Sequence, residues 1–359
     1  MINWVQIYFT QFFLLSLLIG LIGKIMITKI ILEEKISAVF KLINAAENIV
    51  ITAHKGPDGD AVGSSLGLYH FLYTLEKKTT VILPDTPSES LNCLPSFDEI
   101  LTYDKNKEEV EEIVKNCDLI FCLDFNQLDR LGALAPLIEG VTCPKIMVDH
   151  HLNYDNFADV IISHPEIAST SELVFRLICR MGYFADMNLQ TAECICAGML
   201  TDTGGLAFNS NHPEIYTIFA ELLRKGVDKD ALYRKLFNSY TENRMRLMGY
   251  VLNKMTILPE YGTAIITLSK EELEKYNYKK GDTEGFVNMP LSIQGIRCSI
   301  FCREENDRIK ISLRSVGDYS VNELAAKTFN GGGHKNASGA ESTLSLEETV
   351  ERLIEGIKE

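Results

Sequence analysis

Four short segments of this chain concentrate side chains that hold hard metal ions or move protons. They are His54-Lys55-Gly56-Pro57-Asp58-Gly59-Asp60, then Asp124 after an apolar run, then Asp149-His150-His151, and Asp202 in Asp202-Thr203-Gly204-Gly205. Asp58, Asp60, Asp124 and Asp202 repel one another if they meet, and no neighbouring run of Lys or Arg answers that charge. Divalent cations would. Carboxylates and imidazoles without thiolates favour Mn²⁺ or Mg²⁺ over zinc. Two such ions about 3.5–4 Å apart, sharing a carboxylate, activate a water and clamp a phosphoryl group. Taken singly, each residue has a plainer reading as a cap, turn or surface charge, and Pro-Asp-Gly-Asp alone is a good turn.

The elements around these residues give the joint reading its weight. Apolar runs at residues 48–54, 81–83, 118–124 and 145–151 alternate with helical stretches, the pattern of a parallel α/β sheet. Three of those strands end in the acidic and His segments. Ligands of open α/β sheets bind beyond the carboxyl ends of the strands, so these residues converge. Helices are expected over residues 61–75, from Ser169 to Gly182, from Gln190 into the Asp202 turn, and from His212 to Gly226. The expected organisation is an apolar segment (1–27), a parallel-sheet catalytic domain (28–225), a helical connector (226–257) and a smaller α/β domain (258–359).

The chain has 359 residues and a formal charge of −14, an acidity that argues against coating long nucleic acid by counterion release. Its nine cysteines form no CxxC pair and lie mostly in apolar runs, which reads as reduced thiols in a cytoplasmic protein. Residues 4–23 carry no charge, are long enough to span a bilayer, and are followed by Lys24 and Lys29. Two readings stay open: a membrane anchor, or an extension upstream of a natural start at Met26.

Other signals weigh differently. Gly63-Ser64-Ser65-Leu66-Gly67 matches the hydrolase elbow, but its glycines fall inside a helix, where close packing against the sheet explains them better. Ser169-Thr170-Ser171-Glu172 reads as a capping box with a structural role. His70 reads as a core or boundary residue, and His164 and His212, each before a proline, as turn or helix-start residues. In Asn330-Gly331-Gly332-Gly333-His334-Lys335 three glycines suggest close approach to a ligand and an anion nest. Arg297 and Arg314 could supply bidentate phosphate contacts.

Together these motifs resemble the DHH phosphoesterase superfamily in its subfamily with a DHHA1 second domain. The carrying residues are His54-x-x-x-Asp58-x-Asp60, Leu123-Asp124, Asp149-His150-His151, Asp202-Thr203-Gly204 and Gly331-Gly332-Gly333-His334. In size the chain resembles the nanoRNase and 3′-phosphoadenosine-5′-phosphate (pAp) phosphatase group. The resemblance implies one Mn²⁺ on His54, Asp58 and Asp124, and a second on Asp60, Asp124, His150 and Asp202, with Mg²⁺ as the other candidate ion. It implies His151 facing the substrate phosphate, Asp149 orienting the histidines, and Arg297, Arg314, Gly331, Gly332, Gly333 and His334 holding the nucleotide, with the site between the domains. Leu206 and Ala207 stand where the group carries an aromatic and often a basic residue, and Ser338 where it usually has Ala.

The expected function is hydrolysis of short oligoribonucleotides, linear dinucleotides and pAp. Two alternatives are a cyclic-dinucleotide phosphodiesterase and a non-catalytic nucleotide sensor at the membrane. The implied partners are short RNA or nucleotide bisphosphates, no long nucleic acid, a membrane through residues 4–23, and a second copy in a homodimer.

Overall fold

The computed structural model describes residues 29–358, the His334 side chain excepted, so the apolar segment and the Met26 start lie outside the described residues. Among the described residues, no helix is long and apolar enough to cross a membrane. The chain forms two compact units that meet between Ser239 and Tyr240.

The first unit runs α1 (Glu33–Ala45), β1 (Asn48–Ala53), α2 (Gly59–Thr74), β2 (Lys78–Leu83), β3 (Leu101–Thr102), α3 (Lys107–Lys115), β4 (Leu119–Leu123), α4 (Ala135–Gly140), β5 (Lys145–Asp149), β6 (Val160–Ser163), α5 (Thr170–Arg180), α6 (Leu189–Asp202), α7 (Pro213–Arg224) and α8 (Lys229–Phe237). Its six strands are all parallel, in the order β3-β2-β1-β4-β5-β6. β4 and β5 are buried at every position, because helices cover both faces of the sheet. The two-residue period of a strand divides their side chains between two cores. Ile49, Ile51, Phe121 and Leu123 join one, and Val50, Ile120, Cys122 and Met147 the other. The parallel sheet expected from sequence is present. The short edge strands β3 and β6 are additions to it.

This strand order reverses direction between β1 and β4, which are hydrogen-bonded neighbours. Such a switch point opens a crevice at the carboxyl ends of the two strands. His54 follows β1 and Asp124 follows β4, so the topology sets them side by side at the crevice mouth.

The glycines of the Gly63–Gly67 motif are packing residues. A Cβ at Gly63 would stand 2.7 Å from the Cys194 carbonyl oxygen and Gly198 nitrogen of α6, and one at Gly67 would meet Ile195 at 2.8 Å. Ser64 and Ser65 are fully buried and donate to the Ala61 carbonyl, so neither is a nucleophile.

The second unit runs α9 (Glu242–Lys254), β7 (Thr256–Leu258), β8 (Thr263–Leu268), α10 (Lys270–Lys275), β9 (Cys298–Glu304), β10 (Ile309–Ser315), α11 (Val321–Phe329), β11 (Gly332–His334), β12 (Ala337–Ser342) and α12 (Leu346–Lys358). Its sheet has the order β11-β12-β10-β9-β8-β7, with only the β8–β9 pair parallel. The helical stretch 226–257 is thus divided, α8 lying in the first unit and α9 in the second.

The glycine run takes a different form from the expected nest. Gly332–His334 is a strand paired with β12. A Cβ at Gly331 would lie 2.4 Å from the Gly339 carbonyl oxygen, and one at Gly333 2.6 Å from that of Ala337. Only Gly332 faces open space, so strand packing accounts for two of the three glycines. Lys335, which ends this segment, pairs with Asp318 at 3.0 Å.

Candidate metal centre

His54 begins the loop after β1. Its Nδ1 donates to the Lys55 carbonyl oxygen at 2.9 Å, which turns Nε2 toward Asp124 Oδ2 at 3.4 Å and Asp58 Oδ2 at 3.9 Å. Asp58 caps α2: its Oδ1 accepts from the N–H groups of Asp60 and Ala61, leaving Oδ2 for the cluster. One side chain therefore serves as helix cap and as candidate ligand, and the plain and the chemical readings both hold.

Asp124 sits one residue past β4 with φ 62°, in the left-handed region that aspartate tolerates better than most residues. Its N–H donates to the Val148 carbonyl oxygen on β5, which pins the backbone, and its side chain is buried. His150 donates from Nδ1 to the Ile167 carbonyl oxygen at 3.2 Å and points Nε2 at Asp124 Oδ1 and Asp202 Oδ2, each 3.5 Å away. Backbone carbonyls thus set both imidazoles with Nε2 inward, the arrangement that prepares histidine for a metal. Asp202 is the last residue of α6.

Asp149, fully buried, holds His151 twice. Oδ2 accepts from its backbone N–H at 2.9 Å and Oδ1 from its ring Nδ1 at 2.8 Å. His151 stacks edgewise on His150, their ring centres 4.7 Å apart.

Thr170 and Ser171 do more than the helix cap that their sequence implies. Thr170 Oγ1 donates to Asp124 Oδ1 at 2.9 Å, and the N–H groups of Thr170 and Ser171 donate to the two oxygens of Asp60 at 2.6 and 2.9 Å. Ser169 does cap α5 by accepting from Glu172 N–H, but the Glu172 carboxylate is spent on Arg176. Nearby, Gly198 of α6 admits no side chain. A Cβ there would lie 1.9 Å from Ser171 Oγ and 2.9 Å from Asp60 Oδ1.

The first aromatic ring after Asp202-Thr203-Gly204 is that of Phe208. Phe208 is 54% exposed, and its ring lies where a Cβ on Gly204 would fall, 2.3 Å from that position. Gly204, Gly205 and Leu206 all have positive φ in this turn, which three hydrogen bonds to Thr203 tie down.

Three sets of ligand atoms, each set within 4.8 Å, emerge from this geometry: His54, Asp58 and Asp124; Asp60, His150 and Asp202; Asp124, His150 and His151. Among the described residues, the cluster's ion pairs are with histidine alone. Without cations the cluster gathers protons instead. Burial opposes a charged His54, yet the hydrogen bond and charge of Asp124 carry its pKa up to about 9. Burial likewise opposes a charged His150, and Asp124, Asp202 and Asp60 overcome it, again to about 9. Burial and then its acidic neighbours push Asp202 up to about 9 and Asp60 up to about 7. Asp124 resists its own burial and is held down at about 2 by His54 and His150. This demand for positive charge, the inward Nε2 atoms and the absence of thiolate donors fit hard divalent ions: the cluster is a metal-binding one.

In the second unit, Arg314 is mostly buried, a position that lowers its pKa, and its Nη1 donates to the Leu313 carbonyl oxygen at 2.9 Å. Arg297 lies just before β9 rather than on a strand, exposed, with its guanidinium 5.2 Å from the Tyr319 ring centre. His70 is buried with Nε2 at the Pro95 carbonyl oxygen, His164 pairs with Glu166, and His212 precedes α7.

Comparison with known proteins agrees with this geometry. The DHH family, N-terminal domain, matches residues 48–199, and the DHHA1 domain matches residues 260–359. The bifunctional oligoribonuclease and PAP phosphatase NrnA of Thermus thermophilus is 32% identical, over 91% of this chain and 94% of that protein. The NrnA of Bacillus subtilis is 30% identical, over 84% and 91% respectively. The crystal structure of an exopolyphosphatase-related protein from Bacteroides fragilis superposes with a TM-score of 0.91 at 51% identity, over 92% of this chain and 97% of that one. The chain therefore belongs to the DHH family in its DHHA1-bearing form, and is a hydrolase of phosphoester bonds.

Proposed function

We propose that the chain is an Mn²⁺-dependent phosphoesterase that cleaves short oligoribonucleotides and linear dinucleotides and removes a phosphate from pAp. The observation that carries this is the pair of ligand sets, His54–Asp58–Asp124 and Asp60–His150–Asp202, with Asp124 close to the second through His150. The names of the two NrnA relatives support the substrate class. The nine cysteines, all free thiols, support a cytoplasmic setting.

In this reading His54, Asp58 and Asp124 hold one ion, and Asp60, Asp124, His150 and Asp202 the other. Bound ions supply Lewis acidity toward a water and toward the phosphoryl oxygens. The chain's own groups do the rest. Asp149 keeps the Nδ1–H of His151 engaged, which turns the other ring nitrogen to face the substrate phosphate. Arg297, Arg314, Gly331, Gly332, Gly333 and His334 hold the nucleotide or its distal phosphate. A few local cations suffice for a substrate of one to a few nucleotides, which agrees with the charge of −14.

Turnover by the purified protein with Mn²⁺, Mg²⁺ or EDTA on a linear diribonucleotide, pAp, a cyclic dinucleotide and polyphosphate tests the proposal. Hydrolysis of the first two, dependent on Mn²⁺ and abolished by EDTA, is the expected result. Turnover of the cyclic dinucleotide or polyphosphate alone would overturn the substrate assignment.

A further inference from the structure

The amino end of α5 joins two carboxylates that lie far from it, and from each other, along the chain. Asp60 lies 110 residues before Thr170 and Asp124 lies 46 before it, yet both end on this one turn. Asp60 takes the backbone N–H of Thr170 on Oδ2 and that of Ser171 on Oδ1, while Asp124 takes the Thr170 hydroxyl on Oδ1. Thr170, Ser171, Asp60 and Asp124 are all almost completely buried, so water does not compete for these donors. The amino end of a helix favours carboxylates, which adds to the three hydrogen bonds.

We propose that Thr170 is a positioning residue of the metal centre, whose hydroxyl fixes the rotation of the Asp124 carboxylate relative to the Asp60 carboxylate held by the same residue's backbone. It rests on the metal-binding reading of the cluster.

The argument is one of degrees of freedom. A carboxylate serving two ions must present its two oxygens in fixed directions, and it turns about its Cβ–Cγ bond unless something holds it. Asp124 Oδ2 faces His54 and Oδ1 faces His150, both of them contacts of 3.4–3.5 Å. Among the described residues, the Thr170 hydroxyl at 2.9 Å is the shortest polar contact of the Asp124 carboxylate. Threonine suits the place because a β-branched side chain has few rotamers to choose from. The backbone donors to Asp60 survive any side-chain change, so substitution at 170 separates the two carboxylates: it loosens one and leaves the other held. Partners of this kind, one bond removed from the ion, typically contribute about 10–100-fold to metal affinity.

The test is calorimetric titration of metal-free protein with Mn²⁺, with metal content after gel filtration as a second readout. Thr170→Val keeps the shape and removes the hydroxyl; Thr170→Ser keeps the hydroxyl. The expected result is an Mn²⁺ affinity at least about tenfold lower in Thr170→Val for one of the two ions. Thr170→Ser should stay within about threefold of the parent protein. A folded Thr170→Val with unchanged stoichiometry and affinity would overturn the proposal. So would a Thr170→Ser as weak as Thr170→Val, since that assigns the effect to the methyl group. Should Thr170→Val not fold, Thr170→Ala removes the same hydroxyl without setting a methyl group against the Asp124 carboxylate, and is judged by the same criteria. If the parent protein itself takes up no Mn²⁺, the metal reading fails as a whole, and that outcome is separate from a failure of Thr170.

Discussion

Asp149 grips His151 at two points, its carboxylate spanning the backbone N–H at 2.9 Å and the ring Nδ1 at 2.8 Å. One buried acid thereby sets both the position and the orientation of the neighbouring imidazole. Asparagine at 149 can still accept one of these donors but offers its own N–H to the other. Asp149→Asn should cost about 10–100-fold in kcat while Mn²⁺ content stays at the parent value. Steady-state kinetics beside metal analysis decides it, and a parallel loss of bound metal would show that Asp149 supports the ligands instead.

Asp124→Asn should lose at least about a thousandfold in turnover, the scale of removing a central electrostatic group. It should also retain less than the parent amount of metal. Considered as clustered negative charge alone, Asp124 ought to destabilise the metal-free fold. Its contacts say otherwise, since it accepts from Thr170 and holds charged His54 and His150. The metal-free variant at pH 7 should therefore be less stable than the parent by about 1–3 kcal/mol. Urea unfolding in EDTA measures that difference, and a gain in stability would refute the account.

The metal-free protein should lose stability as pH rises. His54 and His150 titrate near 9 in the fold against 6.5 when unfolded, and Asp202 near 9 and Asp60 near 7 against 3.8. All four are raised, so between about pH 4 and pH 9 the folded chain holds more protons than the unfolded one, and its stability falls along that range. Asp124, at about 2 against 3.8, acts oppositely but only below about pH 4. Mn²⁺ displaces these protons, so it should flatten or reverse the decline and release protons on binding. Unfolding temperatures at pH 5.5, 7 and 8.5, with and without Mn²⁺, carry the test. A metal-free unfolding temperature that climbs from 5.5 to 8.5 contradicts it.

Arg314→Ala and His334→Ala should raise KM for a dinucleotide or pAp by about 10–100-fold, the worth of a hydrogen bond to a charged group. Bound Mn²⁺ should not change, because every candidate ligand lies in the first unit. A variant that empties the metal site would dismiss this division of labour.

The candidate ligand set was legible in the sequence because its members follow strongly apolar strands (His54, Asp124, His150), open α2 (Asp58, Asp60) or close α6 (Asp202), and an α/β sheet sends such positions to one end. The second layer was much less so. Thr170 and Ser171 sit in a segment whose local chemistry is fully explained by a helix cap, and their partners are 46 to 111 residues away. Local rules cannot register a donor whose acceptor lies that far off. The Gly331–Gly333 run hid its local structure in another way. Its composition suggests a loop, and the cause is the β12 backbone pressing on two of its glycines, which only the register discloses. Phe208 carries no local signal, because it stands four residues beyond Gly204 and reaches back over it only in three dimensions.

Gly198 carries no chemistry, yet its missing side chain leaves room for Ser171 and for an oxygen of Asp60. A single methyl group there would have to displace Asp60 or part α5 from α6. In a survey scoring every substitution by growth or turnover, position 198 should tolerate as little as the ligands themselves. Intolerance of that kind would report the thickness of a wall, with no reacting group behind it.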